Sequence, residues 1–340
     1  TQQKANQNNL LEKVFKLSEH GTNVKTEIIA GITTFMTMAY ILAVNSNMLA
    51  EAGMDAGAVF VATALSATIS CFVMAFLSNY PIALAPGMGL NAFFAYTVVL
   101  QMGYTWQMAL LGVFIEGVLF IILTVTSLRE QIINCIPKDL KNAVTAGVGL
   151  FIASVGMTNA GIINTANGTL ALSSLHDPLV VLSVVGLGIA GILVCRNVRG
   201  ALLLSILLTS AIGMLTGIVT LPTKIVSLNV PSLAPTFMQA FSVPLEKIFS
   251  LDMVIVVFTF LFMDLFDSVG FLVGVAAKGN LIDENGKIPK AKQAMLADAI
   301  GTTVGAVLGT STVTCFMESS AGISEGGQTG LTAFTVGVLF

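Results

Sequence analysis

From Ile28 onward, apolar runs alternate with short polar turns along the whole chain. Most of the runs are close to the roughly 20 residues that an α-helix needs to cross about 30 Å of hydrocarbon. The pattern predicts spanning helices near residues 28–50, 56–77, 87–102, 106–128, 142–162, 178–195, 200–221, 252–277, 292–308 and 318–329, with an eleventh opening at Gly330. That last run is still apolar at Phe340, so the sequence is expected to be part of a longer chain. The first residue is Thr1, and the first apolar run is followed by charges without a small-residue cleavage site. It therefore reads as a span and not as a removable leader. Ahead of it, Leu10, Leu11, Val14, Phe15 and Leu17, interleaved with Lys13 and Lys16, predict a short amphipathic helix on the inner membrane interface.

Composition agrees with lipid as the solvent: 55% of residues are apolar and only 10% charged, with a mean hydropathy of +0.89. Lys and Arg total 15 against 18 Asp and Glu. The net charge of −3 leaves no basic surface for a phosphate backbone, which excludes nucleic acid as a partner. Cys71, Cys135, Cys195 and Cys315 are far apart, with no CxxC pair, and read as small packing residues; no metal or cofactor is expected. With the N-terminus in the cytoplasm, Lys4, Lys13, Lys16, Lys25, Arg129, Lys138, Lys141, Arg196, Arg199, Lys278, Lys287, Lys290 and Lys292 all fall inside, and only Lys224 and Lys247 fall outside. That asymmetry sets the expected orientation.

Two segments cannot be ordinary spans. Tyr80 to Ala85 is apolar and runs into Pro86-Gly87-Met88-Gly89-Leu90-Asn91, where a proline and two glycines forbid a continuous helix. Ser311 to Phe316 is rich in β-branched residues and runs into Met317-Glu318-Ser319-Ser320-Ala321-Gly322. Each predicts an extended stretch followed by a half-helix. A helix with small residues precedes each break, and aligning Leu77 with Leu308 puts Gly87 opposite Glu318. Matched breaks in two halves of a chain point to inverted repeats around a midplane site. Non-helical backbone is tolerated there only where protein or a polar cavity satisfies it.

Carboxylates inside the spans are the candidate chemistry, since a charge at the bilayer centre costs from about 2.5 kcal/mol upward. Asp264 and Asp267 lie three apart on one helix face, and Glu318 opens the second half-helix. Each can accept from ligand N–H groups or carry a proton. The structural alternatives are helix-to-helix hydrogen bonding for the aspartates and an N-cap for Glu318. Glu116 lies mid-span without a broken helix beside it, and a structural or lipid-interface role suits it equally. Asp298 and Glu27 read as residues at cytoplasmic helix ends.

The strings Pro86-Gly-Met-Gly-Leu-Asn-Ala-Phe-Phe-Ala95, Asp264-Leu-Phe-Asp-Ser-Val-Gly270 and Glu318-Ser-Ser-Ala-Gly-Ile-Ser-Glu-Gly-Gly-Gln-Thr-Gly-Leu-Thr332 resemble the nucleobase:cation symporter family, in its AzgA-like purine branch. The resemblance implies an all-α polytopic membrane fold, an inverted-repeat transporter of seven plus seven segments, about ten or eleven of them present here. It also implies core and gate domains: a cytoplasmic segment 1–25, first-repeat core 26–128, first-repeat gate 142–221 and second-repeat core 252–340, with the remaining gate helices beyond Phe340. Family members import hypoxanthine, guanine or adenine, usually with protons. By resemblance the eighth-segment acid is Asp267, the tenth-segment acid Glu318 and the third-segment amide Asn91. Gly89, Met88, Phe316, Met317 and Ser319 would complete the substrate site, with Asp267, Asp264 and Glu318 coupling protons. A purine has N–H donors for carboxylates and a π face on which Phe316 or Phe93 could stack. The expected partners are a purine nucleobase, a proton in preference to sodium, the lipid bilayer and a homodimer. An anion transporter or channel of the same architecture is the alternative, and it predicts cations near the half-helix starts, where this sequence has none. A membrane enzyme would need a metal cluster, a nucleophile with its base or a phosphate loop, and the sequence carries no such motif.

Overall fold

The computed structural model describes residues 10–126, 138–164, 171–172, 176–196, 198, 201–220, 229–244, 250–279 and 288–340. They form helices α1 Leu10–Phe15, α2 Val24–Met38, α3 Ile41–Glu51 and α4 Ala56–Leu77, then strand β1 Leu84–Pro86 and half-helix α5 Met88–Ala92, which widens into a π-helical stretch Phe93–Gln101. Next come α6 Trp106–Val125, α7 Lys138–Asn159, the short strands β2 Ile163–Asn164 and β3 Ala171–Leu172, α8 Pro178–Cys195 and α9 Ala201–Leu215. The last stretch holds α10 Leu251–Lys278, α11 Ala291–Leu308, β4 Val313–Cys315, half-helix α12 Ser319–Ser324 and α13 Gly330–Leu339. Among the described residues, five helical stretches are long and apolar enough to cross a bilayer, the first being Val24–Glu51. Starts are fixed by side-chain caps: Asn23, Asp55, Thr105, Ser250 and Thr329 each accept a backbone N–H from the first turn.

The chain divides into two compact units, one of Thr1–Thr145 with Pro231–Phe340 and one of Ala146–Val230. Within the larger unit one order of elements occurs twice: a long first span, a second helix, a strand with a half-helix, and a closing helix. The first copy is α2–α3, α4, β1–α5 and α6; the second is α10, α11, β4–α12 and α13. The copies exchange partners, with α6 packed on α11 and α13 packed on α4. Small residues permit that approach, because bilayer helices associate by close packing without a hydrophobic drive. A Cβ at Gly330 of α13 would lie 2.4 Å from the Ala75 carbonyl oxygen of α4. In the smaller unit α8 packs against α9, where Gly186 meets Thr209.

Three details differ from the sequence expectations. The first span runs Val24–Glu51 but is not regular α-helix throughout: at Ala39–Tyr40, both still in helical conformation, the turn tightens and the Leu42 N–H bonds Ala39 three residues back. The amphipathic helix exists, but Phe15 and Leu17 are buried in protein against Ala75, Leu331 and Ala333, while Val14 stays exposed. The third is the register between the repeats. The central strand pair joins Ala85 to Thr314, a separation of 314 − 85 = 229 residues, against 231 for Leu77 and Leu308. The connection from α4 to β1 is two residues longer than that from α11 to β4, so Gly89, and not Gly87, corresponds to Glu318.

Candidate functional site

The two broken segments cross. β1 and β4 pair antiparallel, Leu84 with Cys315, Ala85 with Thr314 and Pro86 with Val313. Two flanking bonds extend the pair: the Gly87 N–H donates to Thr312 O at 2.9 Å and the Phe316 N–H to Ala83 O at 3.0 Å. All six strand residues are buried, so the ribbon satisfies backbone groups that neither segment satisfies alone. Glycine at 87 makes room for the partner strand: a Cβ there would sit 2.6 Å from Thr314 Cγ2, so a larger residue needs Thr314 to shift. Side chains tie each half-helix to the opposite break. Ser311 Oγ, ahead of β4, donates to Asn91 Oδ1 in α5, and the Ala83 N–H, ahead of β1, donates to Ser319 Oγ in α12 at 3.0 Å. Asn91 Nδ2 also reaches Pro86 O at 3.5 Å. Asn91, Gly89 and Ser319 are buried, and Met88 is half-buried.

Around this crossing the carboxylates take distinct environments. Glu318 begins α12 but makes no side-chain capping bond; its Oε1 accepts the Tyr40 hydroxyl at 2.8 Å, and both residues are half-buried. The capping reading is therefore replaced by a long-range bond to the first span. On α10, Asp264 is fully buried and Asp267 half-buried. Ser268 Oγ lies 2.9 Å from Asp264 Oδ1, 2.5 Å from Asp298 Oδ2 and 3.3 Å from Thr314 Oγ1. Asp298, read from the sequence as a helix-end residue, is instead wholly inside the protein, beside Ser268 of α10. Glu116 faces the interior and not lipid, accepting Thr312 Oγ1 at 3.0 Å directly beside β4. Glu27 is also buried: it receives the Gln328 N–H at 2.8 Å, the Thr329 N–H at 3.3 Å and the Thr332 hydroxyl at 2.6 Å, at the start of α13.

The apolar candidates separate too. Phe316 is buried in a cluster with Met38, Ile41, Cys71 and Ala83, whereas Met317 is 44% exposed beside Gly274. Phe93 is half-buried, edge-on to Phe260 with ring centroids 5.0 Å apart. The structure thus gathers Asn91, Gly89, Ser319 and Glu318 about the strand crossing, with Asp264 joined to it through Ser268 and Thr314. Tyr40, Ser268, Asp298 and Ser311 were not singled out by the sequence. A phenol inside an apolar run was the one available signal, for Tyr40; Ser268 looks like ordinary helix packing, Asp298 reads as a helix-end charge, and Ser311 only opens the extended stretch.

The Permease family model Xan_ur_permease matches residues 25–340. The chain is 48% identical over 331 residues to a putative permease of Methanocaldococcus jannaschii, covering 97% of this chain and 75% of that protein. It is 47% identical over 340 residues to the guanine/hypoxanthine permease PbuG of Bacillus subtilis, covering 97% and 77% respectively. Against the adenine permease AdeP of Escherichia coli it is 44% identical over 333 residues, covering 97% and 74%. Among solved structures, the transmembrane domain of a cyanobacterium bicarbonate transporter, BicA, superposes with a TM-score of 0.64 at 17% identity, covering 93% of this chain and 80% of that one. SLC26A9 gives 0.57 at 10% identity, covering 93% and 53%. At such identities the structural likeness is one of fold.

Proposed function

The chain belongs to the Permease family and is a multi-pass membrane protein, and from that premise we propose that it imports purine nucleobases, coupled to protons, by alternating access. The observation that carries this reading is the similarity, at 44–47% identity over 97% of the chain, to permeases named for guanine/hypoxanthine and for adenine. The site chemistry supports it. Carboxylates at Asp267 and Glu318 accept N–H donors from the purine edge, and the half-helices α5 and α12 bring Asn91 and Ser319 to the same crossing. The fold is shared with a bicarbonate transporter, yet a site built on carboxyl groups disfavours an anion and suits a neutral, donor-rich base.

A count of hydrogens supports proton coupling. Ser268 carries one hydroxyl proton but stands within bonding distance of an oxygen on each of Asp264 and Asp298. It can donate to only one, so the second contact needs a proton on a carboxyl group. In this reading the N-terminus is cytoplasmic, residues 26–128 and 252–340 form the core, residues 142–221 belong to the gate, and the chain transports and does not catalyse.

The test is uptake of radiolabelled hypoxanthine, guanine, adenine, uracil and xanthine in cells expressing the protein, with and without a protonophore. Saturable purine uptake that collapses with the proton gradient is expected. Asp267→Asn and Glu318→Gln should each abolish it at normal membrane abundance, and normal transport by either variant would remove that residue from the site.

A further inference from the structure

Tyr40 lies in the middle of the first apolar stretch, at the point where α2 gives way to α3, and no element of either broken segment contributes it. Its hydroxyl nevertheless ends 2.8 Å from Oε1 of Glu318, across 278 residues of sequence. The tightening of the helix has no proline to account for it: Phe35-Met36-Thr37-Met38-Ala39-Tyr40-Ile41 would continue as a helix by local preference. What the tightened turn coincides with is the phenol's reach to the carboxylate. Met38 and Ile41 on either side are fully buried against Phe316 and Ala83, which fixes the backbone from which Tyr40 projects. Glu318, for its part, makes no side-chain capping bond to the turn that follows it; apart from its own backbone N–H, the donor given to its carboxylate is the Tyr40 phenol, which ties its orientation to the first span.

A phenol O–H can only donate to an ionised carboxylate, and by occupying Oε1 it fixes the carboxyl plane and leaves Oε2 for a second donor. We propose that Tyr40 is a positioning residue for ligand recognition: it clamps one oxygen of Glu318 so that the other is presented to a ligand N–H, linking the first span to the site. This rests on the reading of Glu318 as a ligand-binding carboxylate. Tyr40 itself acts through Glu318, and its removal costs affinity without removing the binding group.

The experiment compares hypoxanthine and adenine uptake kinetics of the full chain with those of Tyr40→Phe, Glu318→Gln and a chain carrying p-aminophenylalanine at position 40, each corrected for membrane abundance. Tyr40→Phe should raise KM about tenfold for the transported base, the loss of one hydrogen bond to a charged group, with maximal velocity within about twofold. The amino analogue, which returns an N–H donor at the same reach, should recover most of that loss even if Tyr40→Phe accumulates poorly. An unchanged KM for Tyr40→Phe beside an inactive Glu318→Gln overturns the positioning role and leaves the site reading intact. Normal transport by Glu318→Gln overturns both. A fall in maximal velocity and abundance that the amino analogue does not repair assigns Tyr40 to packing alone and also overturns the proposal.

Discussion

Glu27 takes two backbone N–H bonds and one hydroxyl at the start of α13, and Glu116 takes the hydroxyl of Thr312 beside β4. Donors from backbone and hydroxyl groups thus hold these two carboxyl groups inside a low-dielectric interior. Glu27→Ala should leave two backbone N–H groups without their acceptor, the Thr332 hydroxyl keeping the Glu27 carbonyl at 3.2 Å, and lower the melting temperature of the detergent-solubilised protein, by a loss of about 1–3 kcal/mol. Glu27→Gln, which keeps one acceptor, should fall less. Ser268→Ala should reduce proton-driven uptake by about tenfold or more, because the hydroxyl that joins Asp264 to Asp298 is gone, while Ser268→Thr retains activity. Proton-driven uptake that survives Ser268→Ala would separate this trio from coupling. Asp264, Asp267 and Glu318 were legible in the sequence because a charge in an apolar run stands out. Asp298 and Glu27 were not, because the sequence reads both as helix-end charges, which are ordinarily solvated; Asp298 in fact lies about two turns inside α11, and neighbouring helices bury both.

The two broken segments are the elements on which the site is built, and their existence could be read from Pro86, Gly87 and the β-branched run at 312–314. That they pair with each other could not, since each three-residue strand is too short to announce a partner. Glycine at two contacts gives the measurable consequence. Gly87→Val should abolish uptake by forcing β1 away from Thr314, and Gly330→Leu should prevent accumulation in the membrane, because its Cβ meets the Ala75 backbone at 2.4 Å. Gly191→Ala, with nothing within 4 Å of the added carbon, should behave as the parent. Immunoblots of membrane fractions alongside uptake distinguish the three. The π-helical stretch Phe93–Gln101 that follows α5 was also unpredicted; its residues read as ordinary apolar helix, and widened turns of this kind recur at functional sites.

At the scale of the whole molecule, orientation is the open consequence of the charge asymmetry. In a background lacking Cys71, Cys135, Cys195 and Cys315, an impermeant thiol reagent should label Glu51→Cys in intact cells and Glu19→Cys only after permeabilisation, both positions being exposed. The opposite pattern would invert the assigned topology. The apolar runs alone established that this chain lives in a bilayer, because a backbone in hydrocarbon must close its hydrogen bonds within each segment, and that requirement writes itself into local sequence as long apolar helices. The same requirement, violated twice, located the breaks. What the tertiary structure decided is everything that depends on which segments meet: the crossing of β1 with β4, the exchange of α6 and α13 between repeats, the two-residue shift that matches Gly89 with Glu318, and the reach of Tyr40 to that carboxylate. These contacts join residues far apart in the chain, more than 200 positions for the strand crossing and the Tyr40 bond, and their energies come from packing and hydrogen bonding across helices, which no stretch of sequence carries by itself.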